Sequence, residues 1–397
     1  MKTWHFNLIS AFLGLLLATL IGASSSYDLV INTSIDVLKL IVYFLFLPML
    51  FFTLTAAIAS LKKDRGTTTP VLGWSFLWNF ITAIVLCLVA SFAFYIFRPE
   101  GFNSFSKSTA MVSYLNIDTF QIFYAVPIII ILALFIGRAS NPDESYFYPA
   151  YAVLNSFSEV FFRLSKTLCR YAWFAIFFFA GFLFKQYFSS EMFSTYINLT
   201  LFILVLTVFV TFLILPLIIW CFSGFRVNPF RPVIRLLGPS LSAFFSNDPL
   251  FFYPKLFFTA RNNLGVQKRI VGSSLPLSLF ISKGGTAMIS TLFCAFFAFE
   301  AKTPLDWPSL SILAFYCSML SFLSGAHFKT EMLFICITAL NFANVKLDQQ
   351  AQLQLLYSLP LVTGFGYFLD AQIAGLSTYI SGVRTKTNRT VKRVYTI

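Results

Sequence analysis

The sequence predicts an all-α polytopic membrane protein with eight transmembrane helices and two re-entrant helical hairpins. Three observations carry that expectation. Hydrophobic residues fill 58% of the 397 positions and charged residues only 11%, against about 45–50% and about 25% in soluble domains, which excludes a water-soluble globular enzyme. Apolar runs of the length that crosses a hydrocarbon core, about 20 residues, follow one another along nearly the whole chain and leave no room for a separate soluble domain. Two of the later runs are cut by Pro, Gly and Ser, where a straight span would leave backbone groups unpaired in lipid.

Span one is expected at about 7–23 and span two at about 36–61, closed by Leu61-Lys-Lys-Asp-Arg-Gly. Ala23-Ser-Ser-Ser imitates a signal cleavage site, but a retained first span is expected because its removal would cost the fold one helix. Span three covers about 71–97 and span four about 117–137, ending at Arg98-Pro-Glu-Gly and at Gly137-Arg-Ala-Ser-Asn-Pro. Spans five (about 150–185) and six (about 194–223) are long enough to require tilt or bending. The run from Pro239 to Leu264 is broken by Ser246-Asn-Asp-Pro and Pro254, and reads as a hairpin that enters and leaves on one side. Span seven, about 270–299, carries Ser282-Lys-Gly-Gly-Thr286 at its middle. A second interrupted run, about 309–344, breaks at Ser321-Phe-Leu-Ser-Gly-Ala-His327, and the last span is about 352–383. Two broken hairpins, each followed by a helix with a polar interruption, form a repeat of opposite orientation, the arrangement that marks a secondary transporter's binding site.

Charge tests the topology separately. The net +13 comes from 28 basic and 15 acidic residues. With the N-terminus cytoplasmic, the inner segments hold Lys62, Lys63, Arg65, Arg138, Arg226, Arg231, Arg235, Arg261, Lys268, Arg269 and the tail's Arg384, Lys386, Arg389, Lys392 and Arg393. This is the positive-inside pattern, so the basic excess reads as orientation charge rather than a nucleic-acid surface. The six cysteines lie in or against apolar runs without a C-x-x-C pair and read as small membrane-buried hydrophobes. Two histidines, His5 and His327, are too few for a zinc-type centre; no metal or cofactor is expected. The 52 phenylalanines have no functional explanation at the level of sequence.

Three stretches resemble the dicarboxylate/amino acid:cation symporter family. Leu47-Pro-Met-Leu-Phe-Phe-Thr-Leu-Thr is similar to the family's second helix and Val126-Pro-Ile-Ile-Ile-Ile-Ile-Leu-Ala-Leu-Phe-Ile-Gly137 to its fourth. Leu264-Gly-Val-Gln-Lys-Arg-Ile-Val-Gly-Ser-Ser-Leu-Pro-Leu277, leading into Ser282-Lys-Gly-Gly-Thr-Ala287, follows its seventh. The resemblance implies an elevator-type transporter fold and a homotrimer. Scaffold helices one and two (1–66) and four and five (101–190) would be static. Helix three (67–100) and residues 191–384, with hairpin one at about 238–264 and hairpin two at about 309–344, would form the mobile transport domain. Residues 385–397 are left as a basic cytoplasmic tail. Substrate would bind between the hairpin tips.

The departures from the family fall on the chemistry. Its seventh-helix motif N-M-D-G-T is Ser282-Lys283-Gly284-Gly285-Thr286 here, so Gly285 and Thr286 are kept while the Asn and Asp ligands are lost. Its eighth-helix pattern D-x-x-R-T-x-x-N-x-x-x-D is Asp370-x-x-Ile373-Ala374-x-x-Ser377-x-x-x-Ser381. Asp370 keeps the place that receives a substrate amino group, whereas Ile373 replaces the Arg that holds an acidic side chain. The expected substrate-contact residues are therefore Asp370, Thr286, Gly285, Ser324, Gly325 and Asp248. The cation-site positions, degenerate in this chain, are Ser282, Lys283, Gly284, Ser377, Ser381 and Thr82. Two carboxylates are missing and one ammonium is added, a local shift of about three units toward positive, which disfavours sodium.

Alternatives stand beside these assignments. Asp370 contacts the ligand or is a structural partner of an internal cation. A lysine at mid-membrane costs about 2.5–3.5 kcal/mol on insertion scales. Lys283 is thus read as a tethered substitute for a coupling cation, facing Asp370, or else as a snorkelling substitution. Asp248 contacts substrate or caps the inner helix of hairpin one. His327, Lys329 and Glu331 form a solvated hairpin tip or a proton relay. Ser377 and Ser381 share a helix face and serve either cation binding or helix packing. Function is expected to be secondary active transport of a small amino acid or carboxylate solute across the inner (plasma) membrane, multi-pass, with both termini cytoplasmic. The coupling ion is left open, the proton being favoured over sodium. An uncoupled facilitator or anion-conducting channel on the same scaffold, or a non-transporting solute sensor, are the rivals. An enzyme is not expected, since no Ser/His/Asp set, paired carboxylates or metal cluster is present.

Overall fold

A computed structural model of the protein describes residues 3–21, 25–63, 68–97, 125–140, 145–188, 192–280, 283–300, 306–324, 331–345 and 349–389. Every regular element among them is helical. The first four apolar runs become α1 (Thr3–Ile21), α2 (Ser25–Lys63), α3 (Thr68–Phe97) and α4 (Ala125–Ala139). The first part of span four, before Ala125, lies outside the described residues.

Span five is not one helix. It divides at Tyr171 into α5 (Tyr148–Arg170) and α6 (Ala172–Phe188). The cause is local composition: Glu159, Arg163, Lys166 and Arg170 all fall in α5, so this segment cannot cross hydrocarbon without large cost, while α6 is apolar and Phe-rich. The Glu159 carboxylate instead lies 3.4 Å from Arg261, at the far end of hairpin one, and 3.1 Å from Lys268, the first residue of the helix that follows it. Span six is α7 (Met192–Phe209), a π-helical turn at Val210–Ile214, and α8 (Leu215–Ser223). Pro216 follows the π turn and has no N–H to return to the preceding turn, the ordinary cause of such an irregularity.

Hairpin one consists of α9 (Phe230–Ser246) and α10 (Pro249–Phe258), the latter prolonged by a π turn at Thr259–Asn263. It begins earlier than the expected 238, because the Arg231 and Arg235 turn that hides the apolar pattern is already helical. Asn247 makes the reversal in a left-handed conformation (φ 48°), which asparagine tolerates well. Span seven is broken as expected, into α11 (Lys268–Phe280) and α12 (Gly284–Glu300). Hairpin two is α13 (Trp307–Leu323) and α14 (Glu331–Phe342), and the last span is α15 (Gln349–Arg384).

By length and composition four segments among the described residues can cross a membrane: Thr33–Leu61, Thr69–Phe97, Asn198–Ser223 and Lys268–Phe299. Of the last, residues 270–280 and 283–298 are buried apart from the half-buried Leu277, so α11 and α12 lie at the centre of the molecule. Around them pack α3, α13, α14 and α15, while α2 carries α4 and α5 on one side and α11 on the other, and α1 packs on α6. Phenylalanine supplies much of the packing between elements. Phe52 of α2 stacks on Phe157 and Phe161 of α5, with ring centroids 5.1 and 5.5 Å away, a structural use for part of the Phe excess. Five cysteines are buried within the protein, and Cys221 is exposed on the surface of α8, inside the candidate span Asn198–Ser223.

Candidate functional site

The break between α11 and α12 leaves the first N–H groups of α12 without helical partners, and a neighbouring helix supplies the acceptor. The Asp370 carboxylate of α15 accepts from Gly285 N (2.7 Å) and Thr286 N (3.3 Å) through Oδ1. Through Oδ2 it accepts from the Thr286 hydroxyl (2.5 Å). Asp370 thus caps α12 from outside, with its negative charge at the positive end of the helix dipole. Gly285 is required by the same contact, because a Cβ there would lie 2.5 Å from the Gly366 carbonyl oxygen and 2.8 Å from Asp370 N. Three of the expected substrate-contact residues, Asp370, Gly285 and Thr286, therefore form one connected group.

Lys283 lies one residue before α12 and is 1% exposed. Its ammonium makes an ion pair with Glu331, also 1% exposed, at the start of α14. The Tyr367 ring of α15 lies 5.7 Å away. Glu331 is therefore no part of a solvated tip, and it, rather than Asp370, is the carboxylate that takes the Lys283 ammonium. The added carboxylate also reduces the local shift relative to the family from about three charges to about two. Ser282, Gly325, His327 and Lys329 lie outside the described residues. Ser324 is buried at the end of α13, and its hydroxyl donates to Ser321 O (3.1 Å) within its own helix.

Of the remaining cation-site positions, Ser377 and Ser381 join a buried hydroxyl ladder. Asn79 Nδ2 donates to Ser278 Oγ (2.9 Å), Ser278 Oγ to Ser377 Oγ (2.8 Å), and Ser75 and Ser381 hydroxyls pair at 2.8 Å. These bonds tie α3, α11 and α15 together, and Ser75, Asn79 and Ser278 were not singled out from the sequence. Their signal was present as polar residues four apart, at 75 and 79, inside an apolar span. Thr82 does not join them; its hydroxyl donates to Trp78 O (2.7 Å) in its own helix. Gly284 lies against α3 and Ile373, since a Cβ on it would sit 3.2 Å from Ile373 Cδ1.

At the tip of hairpin one Asp248 is buried and accepts a hydrogen bond from the Tyr43 hydroxyl of α2 (3.0 Å). The tip seats on α15 near Gly364, where a Cβ would lie 2.9 Å from Phe244 O. That is less than two turns from Asp370. Lys255, on α10, is a second buried lysine and was not anticipated; its ammonium donates to Ser242 Oγ (2.9 Å), which also receives Asn7 Nδ2 of α1 (3.2 Å). Flanked by aromatic residues, it gave no periodic signal in the sequence.

A broken central helix, capped across a helix boundary and flanked by two hairpins that each carry a buried carboxylate, Asp248 and Glu331, is the build of a membrane carrier for small solutes. The model of the sodium:dicarboxylate symporter family matches residues 6–359 of the chain. The protein belongs to that family, and is accordingly a multi-pass membrane protein of a transporter, not an enzyme, family. A search of individually curated proteins found no match. The matched region ends before Asp370, so the eighth-helix correspondences rest on the motif and on the contacts above.

Proposed function

We propose that the protein is a secondary active transporter of the inner membrane that moves a small amino acid or carboxylate solute by an elevator movement, without the family's sodium sites. The transport domain, 67–100 and 191–384, would slide against the scaffold helices of 1–66 and 101–190 within a homotrimer, both termini being cytoplasmic. The observation that carries the reading is the buried Lys283–Glu331 pair at the break of the central helix. There the ammonium engages a carboxylate that a dissociable cation would otherwise need, and Asp370 already accepts from three donors. The pair ties hairpin two to the break, which is the work a coupling cation would do. A carboxylate offers about four acceptor positions, so Asp370 retains one for a substrate ammonium beside the Thr286 hydroxyl. With Ile373 in place of an arginine, nothing at that position can grip a second carboxylate bidentately, and a neutral amino acid or monocarboxylate is the favoured cargo.

Since a tethered ammonium cannot leave the site, gradient coupling there would have to run through a proton, with Glu331, Lys283, Asp370 and Tyr367 as the groups that face one another. The same fact favours the rival of an uncoupled facilitator. Accumulation of labelled neutral amino acids, monocarboxylates and dicarboxylates in proteoliposomes tests the reading. Flux of one class against its gradient supports active transport, flux only down the gradient supports the facilitator, and binding without flux supports a sensor.

A further inference from the structure

The entry of hairpin one and the end of α15 enclose a cavity of about 480 Å³. Its charged lining is Arg231 and Arg235 of α9 and Lys386 and Arg389 just beyond α15, with Tyr379 between them. Among the described residues no carboxylate lines it. We propose that this cavity binds a phosphate-bearing anion. The site lies at the edge of the proposed transport domain and shares none of the substrate-contact or cation-site residues.

Orientation charge alone does not account for the arrangement. The positive-inside effect depends on basic residues being near the ends of spans and asks for no convergence. Here two segments about 150 positions apart in sequence bring four cations to the lining of one concavity, where a positive potential that attracts anions is focused.

The cavity is also built by specific contacts. The chain after α15 is folded back by Arg389 N donating to Gly265 O (2.8 Å), by Thr387 N to Gly382 O (3.0 Å) and by Asn388 Nδ2 to Tyr379 O (3.2 Å). Lys386 takes a left-handed φ of 55° to make the turn. Gly382 permits the close return, since a Cβ there would fall 1.9 Å from Asn388 Oδ1. The Arg235 guanidinium is fixed by Asn263 O, while Arg231, Lys386 and Arg389 are exposed.

Guanidinium groups suit phosphate because two parallel N–H donors match two of its oxygens. The volume lies within the range of small-ligand sites, about 300–1,000 Å³, and leaves room for a substituent on the phosphate. A lipid headgroup and a soluble phosphate share this chemistry. Either would staple the entry of hairpin one to the end of α15.

The test titrates the purified full-length protein in a neutral detergent with three probes: inorganic phosphate, a micelle-free short-chain phosphatidylglycerol and a short-chain phosphatidylcholine as the neutral control. The wild type is compared with Arg389→Gln and with Lys386→Asn/Arg389→Gln. Both variants keep the backbone bonds of the turn, asparagine tolerates the left-handed position, and unliganded thermal midpoints check that the fold is retained. Loss of one charge-assisted hydrogen bond weakens binding about tenfold or more, so Arg389→Gln should show that loss and the double variant a larger one. Binding of phosphatidylglycerol alone assigns a lipid headgroup, and binding of inorganic phosphate as well assigns a soluble anion; both support the site. Absence of binding by either anionic probe, equal binding of phosphatidylcholine, or unchanged affinity in both variants would overturn it.

Discussion

Removing one partner of the Lys283–Glu331 pair is the perturbation with the largest consequence. Both side chains are 1% exposed, so neither charge can turn to water when its partner is gone. Breaking a buried pair in this way costs about 3–5 kcal/mol, whereas replacing both partners by apolar side chains of similar volume is about neutral or stabilising by about 1–4 kcal/mol. Lys283→Met and Glu331→Met should each lower the thermal midpoint of the purified protein in detergent, and the double variant should recover it. The coupling energy of the cycle should then exceed the roughly 0.5–3 kcal/mol found for ordinary neighbours. Fluorescence-monitored unfolding of the four proteins measures it. If the two single losses simply add in the double variant, or if neither single substitution is destabilising, the pair is not the tether described here.

Two further outcomes follow from the same site. Gly285→Ala brings a methyl group within 2.5 Å of the Gly366 carbonyl oxygen and should destabilise by about 1–3 kcal/mol, as overpacking does, read as a lower unfolding midpoint; an unchanged midpoint would show that α12 and α15 can separate freely. Asp370→Asn should weaken amino acid binding by about tenfold to a hundredfold, the value of a charge-assisted hydrogen bond. Deaminated analogues should lose less, and equal loss for both ligand classes in a binding assay would leave Asp370 as a helix cap alone.

The helical character of the long apolar runs, the reversal at Ser246–Pro249 and the break of span seven were legible because lipid leaves few alternatives: long apolar runs must be helical, and Pro or Gly breaks within them must be buried in protein. Boundaries failed where charge and helix coincide. The first arm of hairpin one starts at Phe230, where Arg231 and Arg235 mask the apolar pattern of a turn that is already helical, and span five splits at the charged α5, whose Glu159 pairs with Arg261 and Lys268 of other elements.

At the site, Asp370, Gly285 and Thr286 could be read locally, since each occupies a recognisable place in a motif. The partner of Lys283 could not. Glu331 is 48 positions away, on another hairpin, and a carboxylate beside His327 and Lys329 has the composition of a wet tip. Only the packing of α14 against α12 makes it a buried counter-charge. Ser75, Asn79 and Ser278 were hidden for the related reason that single polar residues in a span disclose a face but not the helix it meets.

If the buried Lys283–Glu331 pair takes the place of a coupling cation as proposed, transport needs no sodium. Initial uptake of labelled solute into proteoliposomes, measured with an inward sodium gradient and with sodium replaced throughout by choline at constant pH, tests it most directly. The account predicts equal rates in the two conditions. Uptake that requires sodium in the wild-type protein would contradict it.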